Sequence, residues 1–227
     1  MALRLAGDIP RTPEGDEQIQ NLARSLFNGG SALDRFDKLY SQSPERLREP
    51  LLQAAFDVLR SDSMGDPQKW INRLSQLPEA TRARGMESLA RAWAERTPEE
   101  AIGWASALAA GDARMGAIAA ITTSWAIKDA HGAADWVNTM PPGLERDRSA
   151  SSLAMAMAEK YPREAWDWAL SISDTTQRMQ AATQAANTIA RRNAATARQW
   201  IEAAPFTPDM KATLLANLQK RDRMNPN

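Results

Sequence analysis

Cysteine is absent from this 227-residue chain and histidine occurs once, at His131. Disulfides, thiolate chemistry and zinc sites built on cysteine and histidine are excluded, which leaves only an all-oxygen metal site. Neither sign of charge prevails, because 28 basic residues offset 28 acidic ones. No global field therefore draws the protein toward nucleic acid or anionic lipid, although a local patch is still open. Apolar runs long enough to cross a bilayer are missing. The opening "MALRLAGDIPRTPEG" has neither an apolar signal core nor a basic amphipathic targeting pattern. A soluble, cytoplasmic protein is expected, or a periplasmic one where a signal or anchor has been removed ahead of Met1. Alternating valine, isoleucine and threonine are also missing, so no strand is expected; alanine and leucine dominate, and 43% hydrophobic residues suffice for a core.

What is present is a repeat. "WAERTPEEAIGW" (93–104) aligns with "WAIKDAHGAADW" (125–136), "MAEKYPREAWDW" (157–168) and "IARRNAATARQW" (189–200). Trp104, Trp136, Trp168 and Trp200 are evenly spaced, 32 apart, as are Ala101, Ala133, Ala165 and Ala197. The interval lengthens to 34 between Trp70 and Trp104, and again between Phe36 and Trp70. Six units follow, at 20–51, 52–85, 86–117, 118–149, 150–181 and 182–213, with a terminal helix near 208–221. Residues 1–19 form an N-terminal segment, 20–221 a single continuous domain, and 222–227 a tail expected to fray.

Each unit reads as two helices. In "GMESLARAWAER", Met86, Leu89, Ala90 and Trp93 fall at helical spacing and make one apolar stripe. Thr97 and Pro98 end that helix and start the next: proline at the first helical position needs no donor, and Thr97 with Glu100 has the spacing of a capping box. Asp66–Pro67, Ser43–Pro44 and Tyr161–Pro162 mark other starts, while "NGG", "AGD", "PPG" and "SMGD" mark turns. One such pair cannot bury its apolar face alone, so the units must stack. The aromatic ladder of Phe36, Trp70, Trp104, Trp136, Trp168 and Trp200 is expected to fill the seams, with the alanines three positions earlier allowing close approach.

Two features are candidates for function. Arg48, Arg82, Arg114, Arg146 and Arg178 recur near the start of successive first helices, where a positive charge opposes the helix dipole. Acids one to four residues earlier (Glu45, Glu79, Asp112, Glu145 and Asp174) offer ion pairs, and carbonyls at a preceding helix end or a tryptophan face offer other partners. Left unengaged, the arginines would form a row matching a partner with an acidic group at every third residue. Trp166, two residues from Trp168 and hence on another face, is the candidate for an exposed, partner-contacting aromatic.

Catalytic patterns are lacking: no G-x-S-x-G elbow, glycine-rich phosphate loop or paired-histidine helix is present. His131, in "DAHGAA", reads as lining a turn capped by Asp129. Glu99 and Glu100 suit the positive end of a helix, and Arg96, Lys128, Lys160 and Arg192, 32 apart, suit the negative ends.

In unit length the chain resembles tetratricopeptide repeats, without their Trp-Leu-Gly-Tyr series and with proline starting the second helix rather than following it. Its "WA-x3-P-x2-A-x2-W" pattern is more similar to bacterial helical-hairpin repeat proteins, a resemblance that implies an architecture and no activity. The expected fold is all-α, a right-handed α-solenoid of about six repeats. The expected function is a non-enzymatic scaffold, without cofactor or metal, that binds a protein or peptide, possibly acidic, on its concave face. Nucleic-acid binding through the arginine row, or service as a helical accessory domain of a larger protein, are the alternatives.

Overall fold

The computed structural model describes residues 65–75 and 79–224, with isolated positions between 12 and 56. Phe36, the expected first rung of the aromatic ladder, and Pro44 of the expected Ser43–Pro44 helix start lie outside the described residues. Among the described residues every regular element is a helix: α1 Pro67–Leu74, α2 Glu79–Ala94, α3 Pro98–Ala107, α4 Asp112–Lys128, α5 Ala130–Asn138, α6 Leu144–Met157, α7 Pro162–Leu170, α8 Thr175–Arg192, α9 Ala194–Ala203 and α10 Pro208–Met224. Two compact units divide the chain, residues 1–121 and 122–227, with the boundary inside α4.

The residues before four of the shorter helices share one backbone conformation. Thr97, Asp129, Tyr161 and Asn193 precede α3, α5, α7 and α9 at the same interval as the tryptophans, with φ between −128° and −153° and ψ between 64° and 98°. Their side chains solve the helix start in two ways. Asp129 and Asn193 accept hydrogen bonds from the N–H groups of Gly132 and Thr196, each at 3.0 Å, satisfying donors that the helix leaves unpaired. Thr97 and Tyr161 make no side-chain cap, and each is followed by a proline that has no N–H and comes with its φ already set. The capping box expected at Thr97 is therefore not formed. Its hydroxyl accepts from the Trp93 indole N–H at 3.0 Å and donates to Glu100 at 3.0 Å, joining the two helices of the hairpin.

Turns repeat as well. Gly111 and Gly143, 32 apart, precede α4 and α6 with φ of 151° and 150°, a region that side chains with a Cβ avoid. Nothing lies within 4 Å of a Cβ built at either, so conformation and not space calls for glycine there.

The second helices start at a constant interval, at 98, 130, 162 and 194, but the first helices start earlier than expected. Boundaries expected at 86, 118, 150 and 182 fall inside α2, α4, α6 and α8; the hairpins run 79–107, 112–138, 144–170 and 175–203. The opening turns of the long helices, such as "EATRAR" and "TTQRMQ", are polar, so an apolar stripe first becomes legible one to two turns late. The terminal helix begins at Pro208 and continues beyond 221, to Met224.

In the first unit α1 packs on α2 and α2 on α3. Gly85 sits where a Cβ would strike Leu74 and Phe56, so the absence of a side chain sets how closely α2 approaches. In the second unit α6 meets α5, α7 and α8, while α8 meets α7, α9 and α10; each long helix thus touches its own partner and the next long helix. Alanine carries much of that core. Ala150, Ala154, Ala169, Ala181, Ala182, Ala185, Ala186 and Ala197 are all buried in one cluster, closed by Trp166, Phe206, Leu214 and Leu218. Small side chains let the helix axes come close, and a few large ones fill what is left.

Candidate partner-binding surface

Three of the repeated arginines are drawn onto the backbone of the protein itself. Arg178, in the first turn of α8, donates from Nη1 to the Ile172 carbonyl at 2.8 Å and from Nη2 to the Thr175 hydroxyl at 3.2 Å. Arg114 donates to the carbonyl of Leu108 at 3.4 Å, at the end of α3. Arg146 reaches Ser171 at the end of α7, donating to its carbonyl at 3.3 Å, while its guanidinium lies 5.9 Å from the Trp168 ring centroid. Helix ends leave carbonyls without intrahelical donors, and a guanidinium meets both that need and the negative end of the dipole. All three side chains are half-buried, as is Arg82 in the first turn of α2. Arg48 is exposed and lies 5.6 Å from the Tyr40 ring. Of the acids expected beside these arginines, Asp174 caps α8 by accepting from the Gln177 N–H at 2.8 Å.

A neighbour of Arg146 that the sequence did not single out completes this junction. Asp147 is 2% exposed and accepts hydrogen bonds from the N–H groups of Ser173 and Asp174, each at 3.0 Å. Arg146 thus holds the carbonyl end of the α7–α8 turn and Asp147 holds its amide end. No signal in the sequence marks Asp147, because Ala83, Met115 and Met179 occupy its place in the other repeats.

The aromatic ladder is less deeply set than its alanines. Trp70 is 1% exposed, whereas Trp104, Trp136, Trp168 and Trp200 are half-buried. The alanines three positions before the last four, Ala101, Ala133, Ala165 and Ala197, are sealed. A methyl group fits at the closest approach of two helices; an indole on the same face extends past it to the rim, where Arg163 covers Trp200 at 5.3 Å. The expectation for Trp166 is overturned. It is 2% exposed, 6.5 Å from the Trp200 ring and edge-on to Phe206 at 6.5 Å, and it offers a partner no surface. Ile102, Ala134 and Arg198 take its place in the other repeats, a mixture that marks neither a buried nor an exposed face.

The exposed chemistry of the second unit gathers where α4 and α6 end. Ile127, Lys128, His131, Glu159, Lys160 and Tyr161 line an open cleft of about 280 Å³. Ile127 is the most exposed large apolar side chain among the described residues, and Met155, also exposed, lies near the end of α6. His131 stands in the first turn of α5, as expected of a turn-lining residue, with Nε2 3.3 Å from a Glu164 carboxylate oxygen and its ring edge-on to Tyr161 at 5.2 Å. Both members of the His131–Glu164 pair are largely exposed. Asp129 is occupied as the cap of α5, and Glu159 is paired with Arg191 at 3.2 Å. Among the described residues no group of three or more histidine and acidic side chains is placed to hold a metal ion, and no helix is long and apolar enough to cross a membrane.

No family of known proteins, no curated protein and no solved structure matches the chain.

Proposed function

We propose that the hairpins stack into a right-handed α-solenoid that serves as a non-enzymatic scaffold and binds a protein or peptide in extended form along its concave face. The observation that carries this reading is the cleft at the ends of α4 and α6, where an isoleucine left in solvent adjoins cationic and aromatic side chains. Exposed apolar side chains ringed by polar ones are a feature of interaction surfaces. Repetition at a constant interval would present related positions in series to one chain. The arginines that suggested nucleic acid are engaged with main-chain carbonyls at Arg114, Arg146 and Arg178, which gives the peptide reading the advantage.

Selection from a displayed library of random linear peptides, followed by titration calorimetry on the purified chain, tests the proposal. Selected peptides are expected to bind with micromolar dissociation constants and to compete with one another for one surface. The reading fails if no peptide is selected. It is replaced if RNA or DNA binds instead, with affinity that falls steeply with salt and is lost in the Arg114→Glu, Arg146→Glu double variant.

A further inference from the structure

The end of α8 is tied to the end of α6 by an ion pair. Arg191, in the last turn of α8, donates to Glu159, just past the end of α6, at 3.2 Å. One repeat earlier the same two places hold Glu159 and Ile127, which lies in the last turn of α4. An isoleucine side chain can make no such bond. It stands in solvent instead, 71% exposed, on the lining of the cleft at the ends of α4 and α6.

The charges around the cleft are unequally engaged. Of its carboxylates, Asp129 accepts from the Gly132 N–H and Glu159 from Arg191. Lys160 has its amine 5.2 Å from the Tyr161 ring, a contact that orients a cation without neutralising it, and makes no ion pair among the described residues. Arg148, Arg192 and Lys220 are exposed cations as well, but none of them lines this cleft. Lys160 is therefore set apart by sharing a cleft with an exposed aliphatic side chain. The volume, about 280 Å³, lies below the roughly 300–1,000 Å³ of pockets that enclose a whole small molecule. It suits one side chain of a larger partner.

We infer that the cleft is a pocket for one leucine-sized side chain of a partner peptide, with the carboxylate of an adjacent acidic residue resting on Lys160. The inference rests on the peptide-binding reading and names the part of the partner that is recognised. Seating an aliphatic side chain against Ile127, Ala156 and the Tyr161 ring removes apolar surface of both molecules from water. The partner's carboxylate meets the cation that the protein itself leaves without a counter-ion.

The test uses the full chain and fluorescence-labelled peptides. One carries Leu-Glu within glycine and serine; a second has serine in place of the leucine; a third has glutamine in place of the glutamate. Loss of the leucine is expected to weaken binding about tenfold. Loss of the carboxylate is expected to weaken it about threefold, a difference that shrinks as salt rises. Ile127→Arg places a guanidinium where Arg191 stands one repeat later, within reach of Glu159, and is expected to fill the cleft and abolish the leucine preference, whereas Ile127→Leu keeps it. Lys160→Gln should remove the preference for glutamate and leave that for leucine. Arg148→Gln and Arg192→Gln should change neither. Circular dichroism of each variant separates loss of binding from loss of fold.

Equal affinity for the leucine and serine peptides, or a leucine preference that survives Ile127→Arg, overturns the pocket. So does a glutamate preference that is lost in Arg148→Gln or Arg192→Gln and kept in Lys160→Gln. Failure of the designed peptide to bind, while library-selected peptides do, overturns the pocket and leaves peptide binding intact. Absence of peptide binding in both assays overturns both.

Discussion

The α4–α5 hairpin and the hairpins after it fill the same positions differently. In α4–α5 the aromatic contact is internal, Trp125 stacking on Trp136 at 6.4 Å, as Trp93 meets Trp104 at 5.7 Å in α2–α3. In the next two hairpins the first tryptophan is replaced by Met157 and Ile189, both buried, and the aromatic contact runs between hairpins, from Trp166 to Trp200 and Phe206. The repeat therefore keeps volume in the seam rather than residue type. Where the first helix supplies an indole, the hairpin closes on itself; in α6–α7, where it supplies Met157, Trp166 two positions off the ladder ties that hairpin to the next.

That contrast breaks most readily at Trp166. Trp166→Ala is expected to cost about 3–5 kcal/mol, because it empties a sealed site shared by two hairpins. Trp136→Ala, at a half-buried site, should cost about 2 kcal/mol. Urea denaturation of the two variants measures both values, and equal losses would remove the distinction between the two kinds of seam.

A smaller effect sharpens the same point at the α7–α8 turn. Asp147→Ala strands two amides and is expected to cost about 2 kcal/mol, with Asp147→Asn losing less because one acceptor oxygen survives. Hydrogen exchange at Ser173 and Asp174 should accelerate in the alanine variant; unchanged protection there would show that the carboxylate does not hold the turn.

Two glycines on long helices provide opposite signs. Gly85→Ala brings a methyl group against Leu74 and Phe56 and should lower stability by about 1 kcal/mol net, since overpacking outweighs the gain in helix propensity. Gly116→Ala meets only the side chain of Glu87, which can swing aside, so the propensity gain should raise stability by up to about 1 kcal/mol. Thermal melts of the pair with shifts of the same sign would refute the account of how closely α2 is approached. The smallest effect belongs to Arg191→Ala. The Arg191–Glu159 pair is 62% and 73% exposed, and its loss should change stability by no more than about 0.5 kcal/mol.

Much of the fold was legible because its signals act within one helical turn. Thr97–Pro98, Asp129 and Tyr161–Pro162 each mark a second-helix start, and the structure begins α3, α5 and α7 one residue later. The first-helix starts were harder to read, because their opening turns are polar and a polar turn resembles a loop. The candidate surface was less legible still. Trp166 and Trp168 differ in no intrinsic property, yet one is sealed and the other half-buried, and the choice is made by Phe206 and Trp200 arriving from a later hairpin.

The sequence by itself determined the period of the repeat, the helical class of the described chain and the residues that open each second helix, since caps, prolines and apolar spacing are local. Tertiary structure alone decided which side of each helix reached water. Arg146 and Asp147 find their partners 25 to 27 residues away and Arg191 finds its partner 32 residues away. Contacts over such separations depend on how one hairpin leans on the next, and that is set by the sum of packing across many alanines rather than by any residue's own preference.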